Sequence, residues 1–228
     1  MKSPVRILLV GAVGRMGRKV VDLARDDPKI EIAAQCDLGD LIEPAMKNCD
    51  VVIDFSHADA ITEICRTALE HHKSLVIGTT GHSPGQRRLI EHTARSLPII
   101  FTSNFSIGVN ALFWLTREAA ELLSRDFNPE IVETHHQMKK DAPSGTAKTL
   151  TGILKTARKM ENEVPIQSIR EGEIVGEHTV IFRGPGERLE LSHRAASREI
   201  FARGALRAAH WIIGKPAGLY SMQDVLGL

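Results

Sequence analysis

The sequence predicts an α/β protein: a doubly wound parallel sheet joined to a smaller α+β domain with a mixed or antiparallel sheet. Three observations carry that prediction. Short apolar runs alternate with helix-periodic segments up to Phe101, as in parallel sheets buried on both faces. A glycine turn, Gly11-Ala12-Val13-Gly14-Arg15-Met16-Gly17, separates the first run from the first helix. Beyond Ile131 the strand-like runs include two that flank Gly184-Pro185-Gly186, a hairpin signal.

Val5 to Val10 is a continuous apolar run ending in a glycine turn, the pattern of a central parallel strand. Met16, Val20, Leu23 and Ala24 then recur at helical spacing until Asp27-Pro28 stops the helix. Ile30 to Cys36 reads as the second strand, with Asp37 at its carboxyl end. The alternation continues with a strand over Asp50–Phe55, a helix over His57–His71, a strand over Leu75–Gly78, a helix over Pro84–Arg95 and a strand over Pro98–Phe101. In the second half, Ile131–His136 reads as a strand and Ser144–Met160 as a capped helix. Ala147, Leu150, Ile153, Leu154, Ala157 and Met160 lie along one face of that helix. His178–Phe182 and Arg188–His193 form the hairpin, and an amphipathic helix over about Arg198–Ile213 returns the chain to the first domain. The expected domains are 1–105 with 206–228, and 106–205 between them.

Composition narrows the function classes. The 228 residues carry 29 Lys+Arg against 28 Asp+Glu, a net charge of +1 that offers no basic excess for a nucleic-acid backbone. Aromatics at 4% argue against a stacking platform for single strands. Cys36, Cys49 and Cys65 are too few and too scattered for a disulfide framework or a zinc signature, which points to the cytoplasm. Lys2 and Arg6 precede an apolar run too short for a secretory signal. The 21 uncharged residues between Arg95 and Arg117 are interrupted by Pro98, Ser103, Asn104 and Gly108, so they read as strand, loop and helix and not as a membrane span.

Ligands of doubly wound sheets bind beyond the carboxyl ends of the strands. The glycine turn there has G-x-x-G-x-x-G spacing, which meets the need for a tight turn and a helix N-terminus open to a pyrophosphate. Asp37, twenty residues beyond Gly17, is placed to accept from the adenine ribose hydroxyls. Its charge repels a 2′-phosphate, which favours NADH over NADPH, with Arg15 as a partial offset. Gly78-Thr79-Thr80-Gly81 is a second glycine–hydroxyl loop, suited to the nicotinamide ribose. The segment Glu133 to Ala147, E-T-H-H-Q-M-K-K-D-A-P-S-G-T-A, carries the most chemistry. His135 and His136 would face opposite ways on a strand unless the strand is ending. No third metal ligand stands at a recognisable spacing, so no metal is expected. Ser144 caps a helix whose first N–H groups, at Gly145 and Thr146, suit a carboxylate. Histidine, lysine and such a terminus together describe a site for a small acidic substrate.

These residues resemble the 4-hydroxy-tetrahydrodipicolinate reductase family, also called dihydrodipicolinate reductase. The resemblance rests on G-A-V-G-R-M-G, V-I-D-F-S at Val52–Ser56, I-G-T-T-G at Ile77–Gly81, S-N-F-S-I-G-V-N at Ser103–Asn110 and H-H-Q-M-K-K-D-A-P-S-G-T-A, and it runs through S-H-R-A-A-S-R to the C-terminus. It implies a Rossmann-type first domain and a cytoplasmic homotetramer whose second domains pair their sheets. It also implies NADH- or NADPH-dependent reduction of a cyclic hydroxy-dicarboxylate, with loss of water, in the diaminopimelate route to lysine. His135 falls on the family's catalytic histidine and Lys139 on its proton-donating lysine. His136, Gly145 and Thr146 fall on its substrate positions. Gly11, Ala12, Val13, Gly14, Arg15, Met16, Asp37, Gly78, Thr79, Thr80, Thr102, Ser103, Asn104 and Phe105 fall on its cofactor positions. Two departures stand out: the stretch between Asp37 and Asp50 is shorter than in many members, and Met138 replaces a histidine that some carry. A semialdehyde dehydrogenase of similar layout would need a cysteine nucleophile, yet all three cysteines lie in the first domain. A dinucleotide-sensing regulator would need a DNA-binding or effector module, and no basic helix supplies one.

Overall fold

Strand β1, Val5–Val10, explains the layering of the first half. Its side chains alternate, Ile7 and Leu9 to one face, Leu8 and Val10 to the other, and both faces are covered. The computed structural model describes residues 3–228, so Lys2 lies outside the described residues. Along the chain follow α1 (Arg15–Ala24), β2 (Ile30–Cys36), α2 (Ile42–Met46), β3 (Val51–Asp54), α3 (Ile61–His71), β4 (Ser74–Ile77), α4 (Pro84–Thr93) and β5 (Pro98–Phe101). The C-terminal segment adds α7 (Glu199–Ile212), β10 (Gly218–Tyr220) and α8 (Met222–Leu226) to the same unit. The intervening elements are α5 (Ile107–Leu122), β6 (Asn128–His135), α6 (Gly145–Arg158), β7 (Ile166–Arg170), β8 (Gly176–Gly184) and β9 (Glu187–Ala195).

The first unit is a six-stranded, wholly parallel sheet in the order β10-β5-β4-β3-β1-β2. Val20 and Ala24 of α1, Ala202 and Ala205 of α7 and Met222 of α8 pack on Ile7, Leu9 and Ile53. Ile42 of α2, Ile64 and Ala68 of α3 and Ile90 of α4 pack on Leu8, Val10 and Val52. Helix α7 thus completes a face that the N-terminal half alone would leave bare. The strand order reverses between β1 and β3, which opens a crevice beyond their carboxyl ends.

The second unit, Ile107–Arg198, is a four-stranded mixed sheet in the order β7-β6-β8-β9. Strand β6 runs parallel to β7 and antiparallel to β8, and β8 is antiparallel to β9. Leu112 and Phe113 of α5 and Leu150 and Leu154 of α6 close over Ile131, Val180 and Phe182 on one face. Gly145 opens α6 behind Ser144, whose hydroxyl accepts from the Ala147 N–H at 3.2 Å.

The return to the first unit comes at Glu199, not at residue 206, because α7 is one continuous helix and packs as a whole on the parallel sheet. The helix expected from His57 begins as a 3₁₀ turn over Ala58–Ala60. The apolar stretch after Arg95 resolves into β5, a polar loop and α5. No helix among the described residues is long and apolar enough to cross a membrane. All three cysteines are free and buried.

Candidate active site

Two sets of residues, one in each unit, carry the chemistry. In the first unit, the turn after β1 is shaped by what its glycines exclude. Gly11 has φ +85°, and a β-carbon there would lie 2.4 Å from the Phe55 carbonyl oxygen. A β-carbon on Gly17 would lie 2.2 Å from the Gly11 carbonyl oxygen. The turn therefore lies close against the backbone just after β3, and Gly14 precedes α1 as its N-cap residue, with no side-chain cap and no acidic residue in the first turn. That leaves an electropositive helix end open to an anion.

A cleft of ≈ 690 Å³ follows this edge, lined by Gly11, Val13, Gly14, Asp37, Ser56 and His57 among others. A second hollow, lined by Arg15, Met16, Phe55, Ser56, Gly78, Thr79 and Thr80, shares Phe55 and Ser56 with it. The two form a trough across the carboxyl ends of β2, β1, β3 and β4. The Asp37 carboxylate sits at one end and accepts from the Val13 N–H at 3.1 and 3.3 Å. Asp40, Asp59 and Glu63 line the same end. This trough carries the glycines and the open helix terminus that suit a pyrophosphate.

Nine of the fourteen residues expected at the cofactor line the trough: Gly11, Val13, Gly14, Arg15, Met16, Asp37, Gly78, Thr79 and Thr80. Ala12 and Phe105 are buried in the apolar core, with Phe105 set edge-on to Phe55 at 5.7 Å. Thr102 and Asn104 shape the loop after β5, where the Thr102 hydroxyl accepts from the Asn104 N–H at 3.2 Å. Ser103 is exposed on that loop. Asp40 and His57 also line the cleft without a local signal in the sequence, and Ser56 lies at a strand end, where the binding rule directs attention.

The second unit gathers its polar residues by register. Strand β6 places Ile131, Glu133 and His135 on its buried face. Glu133 stands opposite His178 on β8, and His135 opposite Arg170 on β7. The fully buried Glu133 carboxylate accepts from Arg170 Nη2 at 2.8 Å, and its other oxygen contacts His135 Nδ1. Among the described residues neither of those two atoms has a hydrogen-bond partner, so the two meet as an ion-pair contact. The rings of His135 and His178 meet edge to face, 5.0 Å apart. His178 Nε2 lies 3.0 Å from Ser144 Oγ, which ties the histidine pair to the cap of α6.

The electrostatics follow from this packing. Burial works to raise Glu133, but hydrogen bonds from Arg170 and Ser168 and the charge of His135 outweigh it and hold the carboxyl below its usual range. Burial pushes His135 down against the opposing pull of Glu133, with Lys139 adding to the fall. Burial, then the neighbouring His135, drives His178 down to about 4, so it is neutral at pH 7. Glu133, His135 and His178 are also donors of metal-site type, with ligand atoms within 4.8 Å of one another. The carboxylate, however, already bridges a guanidinium and an imidazole, which is the chemistry of a hydrogen-bonded network.

Beyond β6 the chain turns. His135 is the last strand residue, so His136 is freed from strand alternation, and its carbonyl accepts from the Lys139 N–H at 3.1 Å. Lys139 Nζ reaches both Asp141 oxygens at 2.7 and 2.8 Å, and that ammonium pulls the exposed Asp141 carboxyl below its usual range. Gly145 is exposed, with nothing within 4 Å of where a β-carbon would sit. His135, His136, Lys139, Gly145 and Thr146 thus belong to one strand end, turn and helix start. Glu133, Arg170, His178 and Gly176 were missed. Arg170, Gly176 and His178 come from strands distant in sequence, and only pairing reveals them, whereas Glu133 shares the buried face of β6 with His135 two residues on.

The comparisons with known proteins agree across both units. Residues 5–105 match the family model described as dihydrodipicolinate reductase, N-terminus, and residues 108–226 the one described as dihydrodipicolinate reductase, C-terminus. The chain belongs to the dihydrodipicolinate reductase family. Relatives named 4-hydroxy-tetrahydrodipicolinate reductase include one from Akkermansia muciniphila, 46% identical with 98% of each chain covered. Another, from Methanoregula boonei, is 40% identical with 98% of each chain covered. Among solved structures, a dipicolinate-bound dihydrodipicolinate reductase from Paenisporosarcina sp. TG-14 superposes with a TM-score of 0.84 at 22% identity, over 97% of this chain and 98% of that one. A diaminopimelate dehydrogenase from C. glutamicum shares the fold more loosely, with a TM-score of 0.61 at 13% identity over 98% of this chain and 94% of that one. Members of this dihydrodipicolinate reductase family are oxidoreductases, and the parallel sheet with its glycine turn is the nucleotide-binding half.

Proposed function

We propose that this chain reduces 4-hydroxy-tetrahydrodipicolinate, with loss of water, to tetrahydrodipicolinate in the diaminopimelate route to lysine, with NADH favoured over NADPH. The observation that carries the reading is the run from Glu133 to Thr146. It places a carboxylate-oriented histidine, a loop lysine and a capped helix terminus in sequence on a chain of this family.

When bound, the nicotinamide supplies the hydride. The chain's own residues bind two substrate carboxylates and deliver one proton. His136 and the first N–H groups of α6, at Gly145 and Thr146, hold the carboxylates. Lys139 donates the proton, and His135 assists as acid or by positioning the ring. The Asp141 contact parks the Lys139 ammonium on its loop until a substrate carboxylate competes for it. On the cofactor side, Asp37 receives the adenine ribose hydroxyls, and the neighbouring Asp40, Asp59 and Glu63 make the same end hostile to a 2′-phosphate.

We place the enzyme in the cytoplasm as a homotetramer. Strand β9, nine residues long and mostly exposed, forms an edge of its sheet and calls for a covering partner. The test of the catalytic assignment is Lys139→Met and His135→Asn in a cofactor-oxidation assay. Each is expected to lower kcat by about 10²–10⁴-fold with a smaller change in KM. Near-normal kcat in both would refute the roles given to these residues.

A further inference from the structure

Glu133 has no exposed surface and lies on the core face of β6, between Ile131 and His135. A well-packed apolar side chain would serve the stability of that position at least as well as a buried ion pair. The pair therefore calls for another explanation, and its connections supply one. Arg170 Nη2 donates to Glu133 Oε1 at 2.8 Å and to the Asp141 carbonyl at 2.6 Å, while Nη1 donates to the Ile169 carbonyl at 2.7 Å. Glu133 meets His135 Nδ1 through its other oxygen. The Asp141 side chain holds Lys139. One guanidinium is thus linked to His135 through a carboxylate and to Lys139 through a loop residue.

We propose that Glu133 and Arg170 are positioning residues for the reduction, a buried brace that fixes the ring orientation and tautomer of His135 and anchors the loop of Lys139. The proposal rests on the catalytic roles given above to His135 and Lys139. With Nδ1 turned to the Glu133 carboxylate, the Nε2 end of His135 points the other way. It lies beside Gly176, where a β-carbon would come within 3.1 Å of it. The other groups facing the ring are His178 on β8, with His193 beyond it on β9, and Lys139 in the loop. His178 is spoken for by Ser144 and leaves the orienting task to Glu133. A fork-shaped guanidinium suits Arg170, because a lysine cannot serve a carboxylate and two carbonyls in fixed directions.

The experiment compares Glu133→Gln, Arg170→Lys, His135→Asn and the double variant Glu133→Gln/His135→Asn in full-length protein. Glu133→Gln is expected to lower kcat by about 10–100-fold with KM for the dicarboxylate changed less than about threefold. It should also move the limb of the pH profile set by His135 to lower pH, because the carboxylate favours protonated His135. In the His135→Asn background the same change should cost less than about twofold, since its effect passes through the lost ring. Nitrogen-15 spectra of the histidine rings supply a readout independent of turnover: a single Nδ1-protonated tautomer for His135 in the parent, and a mixture in Glu133→Gln and Arg170→Lys. Equal losses in both backgrounds, or an unchanged tautomer and pH limb, would overturn the brace. If His135→Asn kept full kcat, the catalytic reading would fall, and the tautomer spectra would still decide whether the brace orients the ring. Should Glu133→Gln not fold, Arg170→Lys, at a position with 18% of its side chain exposed, carries the same tautomer test.

Discussion

Replacing Ser144 with alanine removes one oxygen that serves two elements. Its hydroxyl accepts from the Ala147 N–H at 3.2 Å and lies 3.0 Å from His178 Nε2. Loss of an N-cap of this kind costs about 1 kcal/mol. His178 is 3% exposed, and among the described residues Ser144 is its one side-chain hydrogen-bond partner, because Nδ1 has none. Leaving that nitrogen bare adds about 1–3 kcal/mol, for roughly 2–4 kcal/mol together. At about 2–4 °C per kcal/mol for a chain of this size, the unfolding transition should fall by roughly 4–16 °C. Ser144→Gly separates the two contributions, since glycine caps nearly as well as serine but also abandons His178; it should be destabilised less than alanine by about 0.5–1 kcal/mol. Guanidinium unfolding followed by far-ultraviolet dichroism, with calorimetry alongside, measures both variants. The dicarboxylate KM should also rise in Ser144→Ala, because α6 opens at the proposed carboxylate site. Destabilisation below about 0.5 kcal/mol in Ser144→Ala would refute the joint role assigned to this hydroxyl.

Three further outcomes follow from the geometry. Asp37→Asn removes one charge from the acidic end of the trough, and the ratio of kcat/KM for NADPH to that for NADH should rise by about tenfold; an unchanged ratio would remove Asp37 from cofactor choice. His178 titrates at about 4 when folded against 6.5 ordinarily, so the unfolded chain binds the extra proton as pH falls from 6.5 toward 4 and stability drops by roughly 3 kcal/mol across that window. His178→Asn should flatten this stretch of the stability–pH curve, and an undiminished slope would place the acid sensitivity elsewhere. Gly176→Ala sets a methyl 3.1 Å from His135 Nε2, and kcat should fall at least about tenfold while the melting temperature changes little; wild-type kcat would show that this end of the ring is not used.

The parallel sheet was legible because its strands carry their signal within a few residues. Val5–Val10, Ile30–Cys36 and Pro98–Phe101 were read with the bounds they have in the structure. Short elements escaped. Ile42–Met46, Gly218–Tyr220 and Met222–Leu226 span too few residues to show a period, and they form because neighbours already in place cover them. Ile166–Arg170 escaped for a similar reason, as an edge strand with little buried surface. The glycine turn and the His135–Thr146 segment announced themselves because their chemistry is contiguous. Arg170 and His178 join Glu133 and His135 only through cross-strand register, which no local spacing encodes. The division of the chain at Glu199 likewise depends on where α7 packs, which amphipathicity alone does not say.

The most direct test of the central claim follows nicotinamide absorbance when the purified chain meets freshly generated 4-hydroxy-tetrahydrodipicolinate, with NADH and NADPH in separate runs. The account expects consumption that depends on the dicarboxylate and is faster per unit concentration with NADH. Demonstrable dinucleotide binding without any dicarboxylate-dependent consumption would contradict it, leaving the fold and the trough intact but assigning the Glu133–Thr146 segment to a different substrate.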